Sequence, residues 1–132
     1  MPLQAAGDCA LIGDIDGENA GDNSGQSVSL SGDGERVAIG AVGNAGAGVG
    51  AGHTRVFRWV AAAGNWSQLG GAINGEAAGD DSGWSVSLSG DGGRVAIGAD
   101  MNSDGGTSAG HVRVYECCFR TRAPSLTQRA PA

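Results

Sequence analysis

The sequence predicts an all-β protein built from a repeated four-stranded antiparallel unit, and three observations predict it. Residues 15–58 lie on residues 73–116 without a gap, at an offset of 58, and 29 of the 44 aligned positions are identical. Short runs that alternate polar with apolar residues recur in both copies, and no stretch carries a helical period. Glycine is abundant at 26 residues while proline numbers three, which suits short strands joined by tight turns.

The strands follow in order. Ser27-Val28-Ser29-Leu30 and its copy Ser85-Val86-Ser87-Leu88 alternate at period two, so each presents one apolar face. Arg36 to Ala41 and Arg94 to Ala99 come next, entered through Ser-Gly-Asp-Gly turns that make each pair of strands a hairpin. His53 to Trp59 and His111 to Glu116 form the third strand, each after a long glycine-rich loop. Trp66-Ser67-Gln68-Leu69 supplies a fourth, and its partial counterpart at the same offset is Ala10-Leu11-Ile12.

Four short strands per 58 residues describe a blade, and radial repetition of such blades is how propellers bury their sheet edges. Closure takes about 4 to 8 blades. The chain therefore reads as an incomplete propeller fragment of two four-stranded antiparallel blades: residues 1–14 with a partial outer strand, repeat 1 over 15–72, repeat 2 over 73–116, and a tail over 117–132 outside the repeat. The tail carries three arginines and no acid or glycine, a composition that suits disorder or an error in the gene model. Units of this kind cannot bury their apolar faces alone, so neighbouring blades or self-association are expected.

Charge narrows the partners. Residues 1–116 carry all 14 acids against five arginines, and lysine is absent. Such a body offers no basic stripe to phosphates, which argues against nucleic acid and anionic membranes. No apolar run reaches the roughly 20 residues of a membrane span, and Met1 to Asp14 has neither the basic start nor the apolar stretch of a signal peptide. Cys9, Cys117 and Cys118 are odd in number and do not make a disulfide framework.

Cations are the more natural ligands. Asp100-Met101-Asn102-Ser103-Asp104-Gly105 matches the opening of a calcium loop, with oxygens at alternate positions, and Ser108 stands where a ninth-position ligand would. Asp100, Asn102, Asp104 and Ser108 are thus the candidate metal ligands and calcium the candidate cofactor. The same run also suits a plain Asp/Asn/Gly turn, its twelfth position is His111 instead of Glu, and the first copy reads Val42-Gly43-Asn44-Ala45-Gly46. Asp22-Asn23-Ser24-Gly25 and Asp80-Asp81-Ser82-Gly83 read either as cation contacts or as turns whose carboxylate caps the following N–H groups. His53 and His111 open equivalent strands in adjacent blades, too far apart to share one metal, and a structural role is expected of both. Gly25-Gln26-Ser27-Val28-Ser29 lacks the final glycine and the acid and base partners of a nucleophile elbow, so no catalytic residue is expected.

Gly25-Gln26-Ser27-Val28 with Arg36 to Ala41, and Gly83-Trp84-Ser85-Val86 with Arg94 to Ala99, resemble FG-GAP repeats, the blades of the integrin α-subunit propeller and of many surface proteins. The resemblance covers about Leu11 to Glu116. It implies a non-enzymatic cell-surface or secreted module for adhesion or for binding a protein or glycan ligand, often with calcium in blade loops. In this sequence the family's acidic calcium loop has shrunk to Ser31 to Glu35 and Ser89 to Gly93, too few carboxylates for a cation wanting six to eight oxygens. Two other readings stand beside it. One is a fragment of a propeller-type hydrolase or lyase, and the other is a truncated piece without independent function.

Overall fold

The computed structural model describes residues 9–117. They form eight strands and no helix: β1 Ser24–Leu30, β2 Arg36–Ala41, β3 His53–Val60, β4 Asn65–Gln68, β5 Ile73–Asn74, β6 Ser82–Leu88, β7 Arg94–Ala99 and β8 His111–Glu116. The first sheet runs β1-β2-β3-β4, with the short β5 paired to the start of β3; the second runs β6-β7-β8. Every strand pair within the sheets is antiparallel. The expected all-β pair of blades is therefore present, and the sheets do not close on themselves.

One expectation is corrected and one falls partly outside the described residues. The second blade shows three strands among the described residues, and the counterpart of β4, at residues 123–126, lies outside them. The expected partial outer strand at Ala10-Leu11-Ile12 is not a strand, and Leu11 and Ile12 are exposed. In the repeat, the equivalent β4 pairs with β3 before it in the chain, and no strand among the described residues precedes residues 10–12. The rest of the expected tail, Cys118 to Ala132, and residues 1–8 also lie outside the described residues.

The hairpin turns are built the same way twice. Asp33 Oδ1 accepts hydrogen bonds from Ser31 Oγ (2.8 Å) and the Glu35 N–H (2.9 Å), while Ser31 Oγ in turn accepts from the Arg36 N–H (3.0 Å). Asp91, Ser89, Gly93 and Arg94 repeat the set. Gly34 and Gly92 take φ of 74° and 73°, a left-handed bend that glycine adopts without Cβ strain. Both first strands begin with a bulge, between Ser24 and Ser27 and between Ser82 and Ser85.

Each sheet has two unlike faces, and the core lies where one meets the other. In blade 1, β1 to β3 put Ser27, Ser29, Ala38, Gly40, Thr54 and Val56 on one side. In blade 2, the opposite side carries Val86, Leu88, Val95, Ile97 and Tyr115. These two surfaces pack together: Ala38, Val56, Leu88, Val95 and Ile97 form one buried cluster with Leu69 and Cys117. The small side lets the backbones approach closely. Ser27 Oγ donates to the Gly83 carbonyl (2.8 Å), the Leu88 N–H to Ser29 Oγ (2.9 Å), the Gly32 N–H to the Gly90 carbonyl (2.7 Å) and Arg36 Nη1 to the Gly92 carbonyl (3.0 Å). A Cβ on Gly40 would overlap the Gly83 carbonyl oxygen, so glycine is required there.

The remaining two faces have no cover over much of their extent. Val28 and Leu30 of blade 1 are 63% and 60% exposed, and Val112 and Val114 of blade 2 are 66% and 65% exposed. Only the outer part of the blade 1 face is shielded, by Trp66, which stands edge-on to Trp59 at 5.4 Å, and by the segment that Arg55 Nη2 holds through the Asp16 carbonyl (2.8 Å).

Candidate functional site

At one end of each blade, two loops converge on the first residue of the third strand. In blade 1 the loop before β1 brings Glu18 and Asp22, the β2–β3 connection brings Asn44, and β3 opens with His53. Glu18, Asp22 and His53 each place one donor atom within 4.8 Å of the others. They line a cleft of about 430 Å³ with Asn44 and Asn74. Blade 2 repeats the constellation 58 residues on, as Glu76, Asp80 and His111.

The blade 1 cluster is the deeper of the two. His53 is 2% exposed and Asp22 4%, and His53 Nε2 is buried with no hydrogen-bond partner among the described residues. Burial lowers the His53 pKa, which the nearby carboxylates of Glu18 and Asp22 oppose, so the ring is held neutral. Both hydrogen bonds to the Asp22 carboxylate fall on Oδ2, from Asn44 Nδ2 (3.0 Å) and the Asn19 N–H (3.3 Å). Its Oδ1 accepts neither of them. The expected turn at Asp22 thus differs in direction, since the carboxylate caps an N–H three residues before it.

Blade 2 uses the same residues differently. Asp80 Oδ2 accepts from Asn102 Nδ2 (2.8 Å), but Glu76 is engaged twice, by Asn102 Nδ2 at 3.5 Å and by Arg113 Nη1 at 3.5 Å. The equivalent Arg55 is turned away from Glu18 to the Asp16 carbonyl and to Ser24 Oγ (3.2 Å). Of the two glutamates, Glu18 is therefore the one without an ion pair among the described residues.

The four candidate calcium ligands are placed apart in role. Asn102 is 2% exposed and spends both ends of its amide, Nδ2 on Asp80 and Oδ1 on the Asp104 N–H (2.9 Å). Asp100 stands near Asp81, whose carboxyl is raised by burial first and by the charges of Asp100 and Asp80 after it. Ser108 donates its N–H to Ser103 Oγ (3.0 Å) at a φ of 52°. Asp104 lies beside a metal-donor group, its Oδ2 4.0 Å from His111 Nδ1. The shortened blade turns do not fit calcium, because Asp33 and Asp91 already cap their turns and Glu35 is the one further carboxylate in either, too few for a cation wanting six to eight oxygens.

Sequence reasoning set His53 and His111 against each other across blades and so missed their partners within each blade. The legible signal was the twin spacing of Glu18 with Asp22 and of Glu76 with Asp80, each followed by a histidine 31 positions after the aspartate.

Two antiparallel sheets stacked small face against large face, each entered by a bulged strand and a Ser-Gly-Asp-Gly hairpin, define a pair of propeller-type blades. Residues 73–115 match the family model of the FG-GAP repeat, the likeness that the motifs carry. No curated protein sequence matches the chain.

Proposed function

We propose that this chain is a non-enzymatic structural and binding module whose two open faces take further blades, supplied by second copies of the same chain. One observation carries the reading: the contact made inside the chain has both of its halves repeated, uncovered, on the outside. Moving Ser27, Ser29, Gly32 and Arg36 forward by 58 gives Ser85, Ser87, Gly90 and Arg94 on the open side of blade 2. Moving their partners Gly83, Leu88, Gly90 and Gly92 back by 58 gives Gly25, Leu30, Gly32 and Gly34 on blade 1, with the residue type unchanged at every position.

The surfaces are shaped to match. A groove of about 390 Å³ runs past Trp84, Ser85, Gly98 and Val112, where the first blade receives the Gly83 carbonyl. A second, of about 260 Å³, is lined by Gly25, Val28, Leu30, Val37 and Ile39. Exposed aliphatic side chains in such grooves are stabilised by losing water contact. Since propellers use about 4 to 8 blades, about two to four copies would complete one. The role of the completed array, from the resemblance, is adhesion or capture of a protein or glycan at a cell surface.

Light scattering over a concentration series tests this with two variants. Gly98→Ala puts a methyl group where its nearest neighbour within the chain is the movable Ser85 hydroxyl, so the blade survives while the incoming carbonyl is blocked. Val28→Asp charges the opposite face. The wild type should be an oligomer and each variant a folded monomer. A cooperatively folded wild-type monomer at every concentration, or variants of unchanged mass, would overturn the reading.

A further inference from the structure

We infer that Glu18, Asp22 and His53 form a binding site for a divalent transition-metal ion, with Zn²⁺ the reference probe. A neutral imidazole and two carboxylates are the donor types that Zn²⁺ and its neighbours in the first row accept, whereas calcium takes oxygen alone. Three donors within 4.8 Å need only a small closure, because ligands of a tetrahedral zinc lie roughly 3.4 Å apart. Glu18 is exposed and free to swing, while Asp22 and His53 are fixed by burial.

The independent sign of a ligand is the histidine itself. A buried imidazole usually satisfies its ring nitrogens, yet Nε2 of His53 has no partner among the described residues on a ring that lines the cleft beside both carboxylates. The surroundings are arranged as those of a metal ligand are. Asn44 fixes the Asp22 carboxylate, a lining group of the cleft, through Oδ2, so that Oδ1 takes no part in that bond, and its own Oδ1 is held by the Gly46 N–H at 2.9 Å. Arg55, the nearby cation that would neutralise Glu18, is drawn off to the Asp16 carbonyl. In blade 2 the corresponding Arg113 pairs with Glu76, so that copy is the weaker site.

The full-length chain is titrated with Zn²⁺ and with Co²⁺, following melting temperature and the visible absorption of cobalt. One tight equivalent should raise the melting temperature, since a ligand that binds the folded state stabilises it. Cobalt should give a spectrum of nitrogen and oxygen ligation without a thiolate charge-transfer band. Glu18→Gln, an exposed and isosteric change that leaves the fold intact, should weaken binding at least tenfold, and Glu76→Gln should leave the tight event unchanged. Calcium at the same concentration should do nothing to the melt. The site is refuted by the absence of a Zn²⁺ shift, by a thiolate band that places the metal on cysteine, by a calcium response in place of a zinc one, or by Glu18→Gln binding like the wild type.

Discussion

At position 81 an aspartate sits at φ 58°, where the first repeat has Asn23 at φ 57°. Left-handed backbone favours either residue, but Asp81 adds a charge beside Asp80 and Asp100 in a partly buried place, and its carboxyl is raised for that reason. Asp81→Asn should therefore raise the melting temperature by about 2 °C, given that exposed charge pairs contribute a few tenths of a kcal/mol; calorimetry checks it. Gly40→Ala belongs to the opposite class. Its Cβ would strike the Gly83 backbone, and the overpacking should cost about 3 kcal/mol in a denaturant titration. His53 sets an acid limit. Its folded pKa lies below the ordinary 6.5, so the unfolded chain binds the proton more readily; the full stability is present above pH 6.5 and declines as pH falls below it. Stability measured by urea at pH 7.5 and 5.5 should differ in that direction, and the chemistry of His53, like that of His111, is not exposed by composition alone, because its partners Glu18 and Asp22 come from a loop well before it in the chain.

The hairpin turn is the element that the sequence states most directly. Ser-Gly-Asp-Gly contains its own hydroxyl, carboxylate and left-handed glycine, and the structure uses all of them within five residues. The N–H groups that Asp33 and Asp91 accept, with the serine hydroxyl after them, hold both carboxyls below the ordinary 3.8. A lowered carboxyl contributes stability above 3.8 and loses it as pH falls through the native value. Asp33→Ala should accordingly lower the melting temperature at pH 7, and the loss should shrink as pH falls below 3.8. Strands β1, β2, β3, β4, β6, β7 and β8 were legible because alternation and turn residues are local. The short β5 was not, since two residues, Ile73 and Asn74, carry no period and pair only because β3 offers His53 and Thr54. Ala10-Leu11-Ile12 misled for the complementary reason: a strand-like composition forms no strand without a neighbour to bond.

For the whole molecule, the blade offset of 58 was read from the chain, but the order of packing was not. Alternation says that each strand has two faces; it does not say that the serine and alanine face of one blade is the partner of the valine and leucine face of the next. The close approach at Gly40 and Gly83 settles that order, and it makes the two open faces unlike: one receives and one inserts. Among the described residues no helix is long and apolar enough to cross a membrane. Val95, fully buried between the blades, ties the halves together. Val95→Ala should remove about 2 kcal/mol and do so in a single transition, because both blades share its core. The unlike faces also give the chain a head and a tail, as in a monomer with two different reactive ends. Val28→Asp spoils one end and Gly98→Ala the other, so each variant alone is inert, whereas an equimolar mixture retains one good head and one good tail and should stop cleanly at a pair.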